Sequence, residues 1–569
     1  MFEQSKNRHY VNPQTIREDL SAGLVLGIES IPDGMASGLL AAVNPVYGIY
    51  GYMMGLFGGA LFTSSVFMSV QATGAMSLVV ASVPQVTQSH DPNTMLFALA
   101  ILTGLFMLLA GLFKLGSLVR FVPNSVMVGF INAVAVLIIL GQLDNFTGYN
   151  SVGANKVAKT IDLALNLQAA HLETVMVGLL TIFLIITLEK TALKSLGLVA
   201  ALIAASLVVP LFHWDAVAQV RDIADIPASL PRPLLPPLAD FFSLMIPAFS
   251  LAFVGLMQGV SITMSVPNPD GRYPDASGDF VGQGAANILS GLFQGTPVGG
   301  SMSATAIVTN AGARSRLGNL SASLVMAVCI LLFGRAIGSI AMPALAGLLI
   351  VVGFRTLKPA QVEMVWKTGW VQRTIMLITF ISALLIPLQY AVLVGIALAV
   401  LLFVFQQSNK VMVKEWTFKE GSLPRESDPP PAVPPATAIA LMPYGSLFYA
   451  AAPMFAAQLP DVTAESQHAV VIIGLRGEKE VGSTFLQVIE RYARELQGQD
   501  SKLMLTGVEQ SVRLQLERTG VARTIGRENI YMATDEPGRA LLDALTAAEL
   551  WIAAQEETGR NNQQPTIND

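Results

Sequence analysis

Two pairs of features in this 569-residue chain have the residue types and spacing to do chemistry. The first is Glu29 and Asp33, four residues apart with Pro32 between them, inside an apolar run over 20–42. An i, i+4 spacing puts both carboxylates on one face of a helix. Ionisable groups at membrane depth are costly and default to a function. Two carboxylates close together in a low dielectric cannot both stay charged cheaply, so one is disposed to hold a proton. The second pair is two short segments rich in Gly, Ser and Thr: Gln71-Ala72-Thr73-Gly74 and Ser301-Met302-Ser303-Ala304. Each reads as the start of a helix, where free N–H groups and roughly half a positive charge are on offer. Two such ends facing each other would hold a small anion without any buried cation. Close helix packing through small residues is the plainer reading of either segment alone. Gln71, Thr73, Gly74, Ser301, Met302 and Ser303 are the candidate anion-binding residues. Gln258, the clearest polar group in the run 239–263, lines the site or bonds a neighbouring helix.

The elements that must position these residues are membrane helices. Hydrophobic residues make up 53% of the chain and charged residues 13%, and mean hydropathy is +0.56. A soluble protein carries roughly 25% charge. A soluble single domain, a disordered chain and a disulfide scaffold are excluded. The charge is also uneven, sparse before residue 406 and frequent after it. A net charge of −5 leaves no basic footprint for nucleic acid. Cys329 is the single cysteine, so no disulfide forms within the chain and no zinc cluster is expected. Nucleophile-elbow, zinc-protease and phosphate-loop motifs are missing, and the five histidines fall in tails, loops or the soluble end, so neither an enzyme nor a nucleotide-driven pump is expected. The first apolar run has no following cleavage site and reads as an anchor.

Apolar runs of spanning type lie near 20–42, 48–66, 95–113, 121–142, 174–188, 195–212, 239–263, 317–334, 338–354, 372–387 and 389–406. Shorter pieces near 73–84, 280–293 and 303–311 are tolerated at membrane depth only when buried in protein or lining a cavity. Counting each as one crossing puts Lys114, Arg120, Lys190, Lys194, Arg314, Arg316, Arg355, Lys358, Lys367, Arg373, Lys410 and Lys414 on the side of Lys6, Arg8 and Arg17. That side is the cytoplasm, although Lys156, Lys159, Arg221 and Arg335 fall opposite. The expectation is fourteen passes with both termini cytoplasmic. The interrupted segments then stand third in each half, which points to an inverted-repeat transporter.

After residue 406 the composition changes. The expected organisation is a cytoplasmic segment over 1–19, a transporter domain over 20–406 and a Pro-rich linker over 407–435. A small α/β domain over 436–550 and a disordered tail over 551–569 complete it. Strands are read at 438–442, 470–475 and 502–507, and helices at 485–496, 512–519 and 541–555.

Several motifs resemble the SulP family, the sulfate permeases or solute carrier family 26. They are Ile31-Pro32-Asp33-Gly34-Met35-Ala36 with Asn44-Pro45-Val46-Tyr47-Gly48-Ile49-Tyr50, then Val122-Pro123-Asn124-Ser125-Val126-Met127-Val128-Gly129-Phe130. Asn287-Ile288-Leu289-Ser290-Gly291-Leu292-Phe293 and Asn310-Ala311-Gly312-Ala313-Arg314-Ser315 follow. Gly445-Ser446-Leu447-Phe448-Tyr449-Ala450 and Val481-Gly482-Ser483-Thr484 resemble the STAS domain that usually follows. The resemblance covers about 15–550. It implies a seven-plus-seven inverted repeat, a homodimer, and an anion site between the starts of the third and tenth helices. Three departures stand out. Ala304 occupies the place of a common arginine, Gln258 that of a common acidic residue serving sodium coupling, and Asp33 that of a common glutamine. In the STAS part Gly482 replaces an aspartate beside Ser483, which weakens a phosphorylation switch.

The sequence therefore predicts an α-helical membrane protein followed by a STAS domain. It is read as a secondary active transporter of a small anion of the sulfate, bicarbonate or dicarboxylate class in the plasma (inner) membrane. Glu29 or Asp33 would couple protons to the anion, Gln258 and Ala304 would line the site, and no metal or cofactor is expected. An exchanger or a channel-like conductor regulated through the STAS domain is the alternative. A nucleobase permease shares the fold but lacks the soluble part.

Overall fold

The computed structural model describes residues 13–116, 122–193, 196–223, 226–237, 241–408, 410–418 and 423–562. Lys6, Arg8, Arg120 and Lys194, used above to orient the chain, lie outside them, as do 563–569 of the expected tail. The chain forms two compact units, Met1–Ala399 and Val400–Asp569.

The first unit is helical. Its elements are α1 (Pro13–Leu40), α2 (Pro45–Phe62), β1 (Ser69–Gln71), α3 (Gly74–Ala81), α4 (Pro92–Leu112) and α5 (Asn124–Leu140). Then come α6 (Lys156–Leu165), α7 (Leu172–Leu188), α8 (Leu196–Leu211), α9 (Phe241–Thr263) and α10 (Ala276–Leu292). After β2 (Gly299–Ser301) follow α11 (Met302–Asn310), α12 (Leu317–Ile337), α13 (Met342–Thr356), α14 (Pro359–Thr368), α15 (Trp370–Leu385) and α16 (Leu388–Ser408), the last of which continues past Ala399. Local chemistry sets several boundaries. Asn44 caps α2 by accepting from the Val46 N–H, and Pro45 sits at the first helical position, where its missing N–H costs nothing. Asp91 caps α4, Asn155 caps α6 and Asp275 caps α10 in the same way.

Six described helices are long and apolar enough to cross a membrane by length and composition alone. Outward faces of these and of the shorter apolar helices α7 and α8 are apolar: Phe183, Leu207, Phe242, Leu332 and Leu401 are all exposed. Such a belt is stable only against lipid or a partner. The interior holds one apolar cluster around Met76, Phe97, Leu137, Leu251 and Phe280 and another around Met35, Ile49, Leu56, Val70 and Met326. Two expectations change here. The first helix starts at Pro13, so residues 13–19 are not a separate polar segment, and Asp19 is fully buried. The piece near 280–293 is a 17-residue helix, because polar residues such as Asp279 and Gln283 extend it on a buried face that hydropathy undercounts.

The second unit is a six-stranded sheet in the order β4-β3-β5-β6-β7-β8. The strands are β3 (Met412–Thr417), β4 (Arg425–Ser427), β5 (Ala438–Tyr444), β6 (Val470–Gly474), β7 (Lys502–Val508) and β8 (Ile530–Met532). From β5 to β8 the pairing is parallel; β3 runs antiparallel to both β4 and β5. Period-two alternation divides the faces. Ile439, Leu441, Val471 and Ile473 pack under α17 (Ser483–Gln497) and α18 (Gln510–Thr519), while Ala440, Val470 and Ile472 meet α19 (Arg539–Asn562).

The expected linker over 407–435 is thus corrected. Residues 412–417 and 425–427 are sheet strands, and Pro431 and Val433 bond Asp461 through their backbones. The prolines lie outside these strands, Pro424 just before β4 and the rest in the connection to β5. The tail expected from 551 is helical to Asn562, because Ile552 continues the apolar face of α19. A fragment over 410–562 should therefore unfold cooperatively in urea. A fragment over 436–562, stripped of β3 and β4, should show a lower urea midpoint and aggregate through the bared β5 edge.

Candidate anion site

Six residues in strand conformation organise the site. β1 and β2 pair antiparallel in the register Ser69–Ser301, Val70–Gly300 and Gln71–Gly299. Each strand runs almost directly into a short helix. Thr73 caps α3, its hydroxyl accepting from the Met76 N–H at 3.4 Å. Ser301 caps α11, accepting from the Ala304 N–H at 3.3 Å. Helix geometry leaves the Gly74 and Ala75 N–H groups, and those of Met302 and Ser303, without an intrahelical acceptor. Strand pairing therefore brings the two helix starts to one place, each carrying about half a positive charge.

The backbone of these strands is held by side chains that the sequence reading missed. Asn287 of α10 donates to the Val298 carbonyl at 2.6 Å and accepts from its N–H at 2.8 Å. Gln283, one turn earlier, accepts from the Gly300 N–H at 3.0 Å. On the other strand, Thr305 accepts from the Ser69 N–H at 3.0 Å, and Asn319 of α12 takes the Ser69 hydroxyl at 2.7 Å. Asn319 also donates to the Phe67 and Met68 carbonyls. All four side chains are essentially buried. The available signal was an uncharged polar residue within or beside an apolar run, the type of group that bonds across helices in membranes.

Each candidate has a definite place. Gln71 is buried at the end of β1 and donates to Ser30 of α1 at 2.7 Å. Thr73 donates its hydroxyl to Gln258 of α9 at 2.8 Å. Met302 and Ser303 are exposed, and the Ser301 and Ser303 hydroxyl oxygens are 3.2 Å apart. Ala304 is buried in the first turn of α11. α9 comes close to the strands where they lack side chains: a Cβ on Gly300 would lie 2.9 Å from the Gly259 Cα, and one on Gly299 would lie 3.1 Å from the Gly255 Cα.

α1 lies alongside. Besides the Ser30–Gln71 bond, Ser37 and Ser77 share a hydrogen bond of 2.7 Å. Ser30 and Ser37 are two helical turns apart, so Asp33 falls between them on nearly the same face. Asp33 is half-buried, and Glu29, one turn before it, is buried. The structure thus brings Gln71, Thr73, Gln258 and the face of α1 bearing Asp33 together with the start of α3, and Ser301, Met302 and Ser303 with the start of α11.

Two further buried carboxylates tie down the loops around this region. Asp279 accepts from the Ser65 N–H at 2.7 Å and from the Ser65 and Thr263 hydroxyls at 2.6 Å each. Asp19 accepts from the Arg314 N–H at 2.6 Å and the Ser315 hydroxyl at 2.6 Å. Both have their oxygens occupied by hydrogen bonds from the protein rather than offered to a ligand.

The strand support is testable. Asn287→Leu keeps the side-chain size but orphans the Val298 N–H and carbonyl, at roughly 1–3 kcal/mol per group. The purified protein should melt at a clearly lower temperature. Thr187→Val, on a helix face where the hydroxyl bonds only its own helix, should change little. Equal melting temperatures would mean that Asn287 does not carry β2.

Residues 16–379 match the model of the sulfate permease family, and residues 432–536 match the STAS domain. The Bacillus subtilis protein YvdB, which bears a sulfate-transporter name, is 25% identical over 92% of this chain and 98% of its own length. The bicarbonate transporter BicA of Picosynechococcus is 24% identical over 70% of this chain and 71% of its own. Among solved structures, murine solute carrier 26 family member A9 in the inward-facing state aligns at a TM-score of 0.83 and 17% identity, covering 95% of this chain and 92% of that one. The transmembrane domain of a cyanobacterial BicA aligns at 0.58 and 24% identity, covering 68% of this chain and 98% of that domain. With its paired helix starts and its C-terminal sheet, the chain belongs to the sulfate permease family of membrane anion transporters and carries a STAS domain.

Proposed function

We propose that this protein is a secondary active transporter that binds a small oxyanion or dicarboxylate between the starts of α3 and α11 and couples its movement to protons. The observation that carries the reading is the β1–β2 pairing, which brings two helix N-termini together without a basic side chain among Gln71, Thr73, Gly74, Ser301, Met302 and Ser303. Sulfate, bicarbonate and dicarboxylates are the substrate classes. Fourteen passes are read as α1–α5, α7–α13, α15 and α16, with both termini cytoplasmic and the two seven-helix halves inverted. The working unit is a homodimer in the plasma (inner) membrane, with the STAS domain regulating or stabilising it. Bulk at a helix start should hurt more than loss of a hydroxyl, because backbone N–H groups supply most of the attraction. Thr73→Trp and Ser301→Trp should abolish uptake of labelled anion into proteoliposomes while the protein still purifies as one species. Normal uptake kinetics in both would remove the site from this place.

Proton coupling rests on Glu29 and Asp33, carboxylates with no business near an anion unless one is protonated. A proton taken up there lowers the repulsion, so proton and anion favour each other's binding, and linkage makes the effect reciprocal. Uptake should accordingly rise as pH falls on the side of entry and accelerate under an inward proton gradient. Glu29→Gln or Asp33→Asn should flatten that pH dependence and lose the acceleration while anion exchange persists. Wild-type pH and gradient responses in both variants would rule out coupling through α1.

A further inference from the structure

The connection from α13 to α15 is a second amphipathic surface, separate from the anion site. Lys358 precedes α14, Pro359 starts it and Gly369 ends it. One face turns inward: Val362 and Val365 pack with Val128 of α5 and Met376 of α15. The segment is pinned at its start, where the Lys358 N–H donates to Asn132 of α5 at 3.0 Å. The outward face carries the exposed Glu363–Lys367 pair, and large apolar side chains flank it on both sides. Met364 is 57% exposed and Trp366 46%, with Phe354 at 62% and Trp370 at 61% on either side. Beside them lies a cleft of about 460 Å³ whose apolar wall is Leu357, Pro359, Val362 and Trp366.

Charge distinguishes this surface from a plain lipid-facing helix. Arg355 is held by Glu189 through two hydrogen bonds, and Lys367 pairs with Glu363 at 2.6 Å. Among the described residues no carboxylate pairs with Lys358 or Arg373. Arg373 lies over the Trp366 ring at 5.4 Å from its centre and donates to the Trp366 carbonyl. The segment 355–373 is therefore left with a surplus of positive charge beside an apolar cleft.

A short helix with an exposed Trp on one flank, an exposed Met on the other and Lys and Arg at its ends, joining two apolar helices, is suited to lie in the membrane interface. Basic residues there attract anionic lipid, each by roughly a fivefold gain in partitioning. A neutral lipid would leave Lys358 and Arg373 unmatched, and a free soluble anion would leave the apolar wall uncovered. We propose that the α14 cleft binds an anionic phospholipid of the surrounding leaflet, with acyl chain along Leu357, Val362 and Trp366 and headgroup drawn by Lys358, Lys367 and Arg373.

The test uses the full chain in lipid nanodiscs and the quenching of its tryptophan fluorescence by lipids brominated in the acyl chain. Brominated phosphatidylglycerol should quench more than brominated phosphatidylcholine at equal mole fraction. The difference should shrink in Trp366→Phe, which removes the reporter in the cleft wall and leaves the other four tryptophans, and should largely vanish in the Lys358→Gln, Lys367→Gln, Arg373→Gln triple variant, which removes the charge. Glu363→Gln should act in the opposite direction, freeing Lys367 and raising the phosphatidylglycerol preference up to roughly fivefold; misfolding would not do this. Equal quenching by the two lipids in the wild type would overturn the proposal. So would a preference that survives the triple variant, one that Trp366→Phe leaves undiminished, or one that Glu363→Gln leaves unchanged or weakens. Competition by millimolar inorganic phosphate would reassign the cleft to a soluble anion.

Discussion

Every backbone donor and acceptor at membrane depth must find a partner inside the protein, and the β1–β2 pair is where that demand is hardest to meet. A helix satisfies its own backbone, whereas six extended residues cannot. Pairing the strands with each other meets part of the demand. Asn287, Gln283, Asn319 and Thr305 meet much of the rest from three neighbouring helices. Once the strands are held, α3 and α11 have to start in the interior. Their free N–H groups are then a by-product of the same geometry, and an anion is the natural partner for them.

The approach of α9 follows from residue size. Gly299 and Gly300 let its backbone pass close to the strands, because a Cβ on either would crowd the Gly255 or Gly259 Cα atom of α9. That approach puts Gln258 within hydrogen-bond reach of Thr73. Around the α3 start uncharged side chains then orient one another, and the partial charges of two helices add to the field beside Asp33. The buried carboxylates Asp19 and Asp279 fit the same logic. Each is surrounded by N–H and O–H donors, so each fastens a loop near the helix ends without placing a bare charge in the interior.

The second unit uses water-soluble rules. β6 is buried on both faces and reads as an unbroken apolar run, Val470-Val471-Ile472-Ile473. The antiparallel β3–β4 ribbon covers the edge that β5 would otherwise expose, and Lys414, Glu415 and Glu426 keep that ribbon polar.

Much of this architecture is legible in the residues alone. Long apolar runs predict the helices within a few residues, because hydropathy over about 20 residues is a local property that burial in lipid enforces directly. The short segments at 73–84 and 303–311 are legible for the same reason, since their brevity and their Gly, Ser and Thr content need no knowledge of neighbours. What lies beyond that is set by partners distant in sequence. Nothing in the local pattern says that Asn287 faces Val298, that Asn319 faces Met68, or that Ser69 opposes Ser301 across more than 230 intervening positions. The sheet strands within 407–435 were hidden because the prolines around them suggest a spacer, whereas β3 is a strand through its pairing with β5, and that pairing is a tertiary property. Sequence determined which segments are apolar, which residues could carry charge or cap a helix, and hence the class of protein. Tertiary structure decided which backbone groups meet, because hydrogen bonds between remote segments depend on a register that no single segment contains.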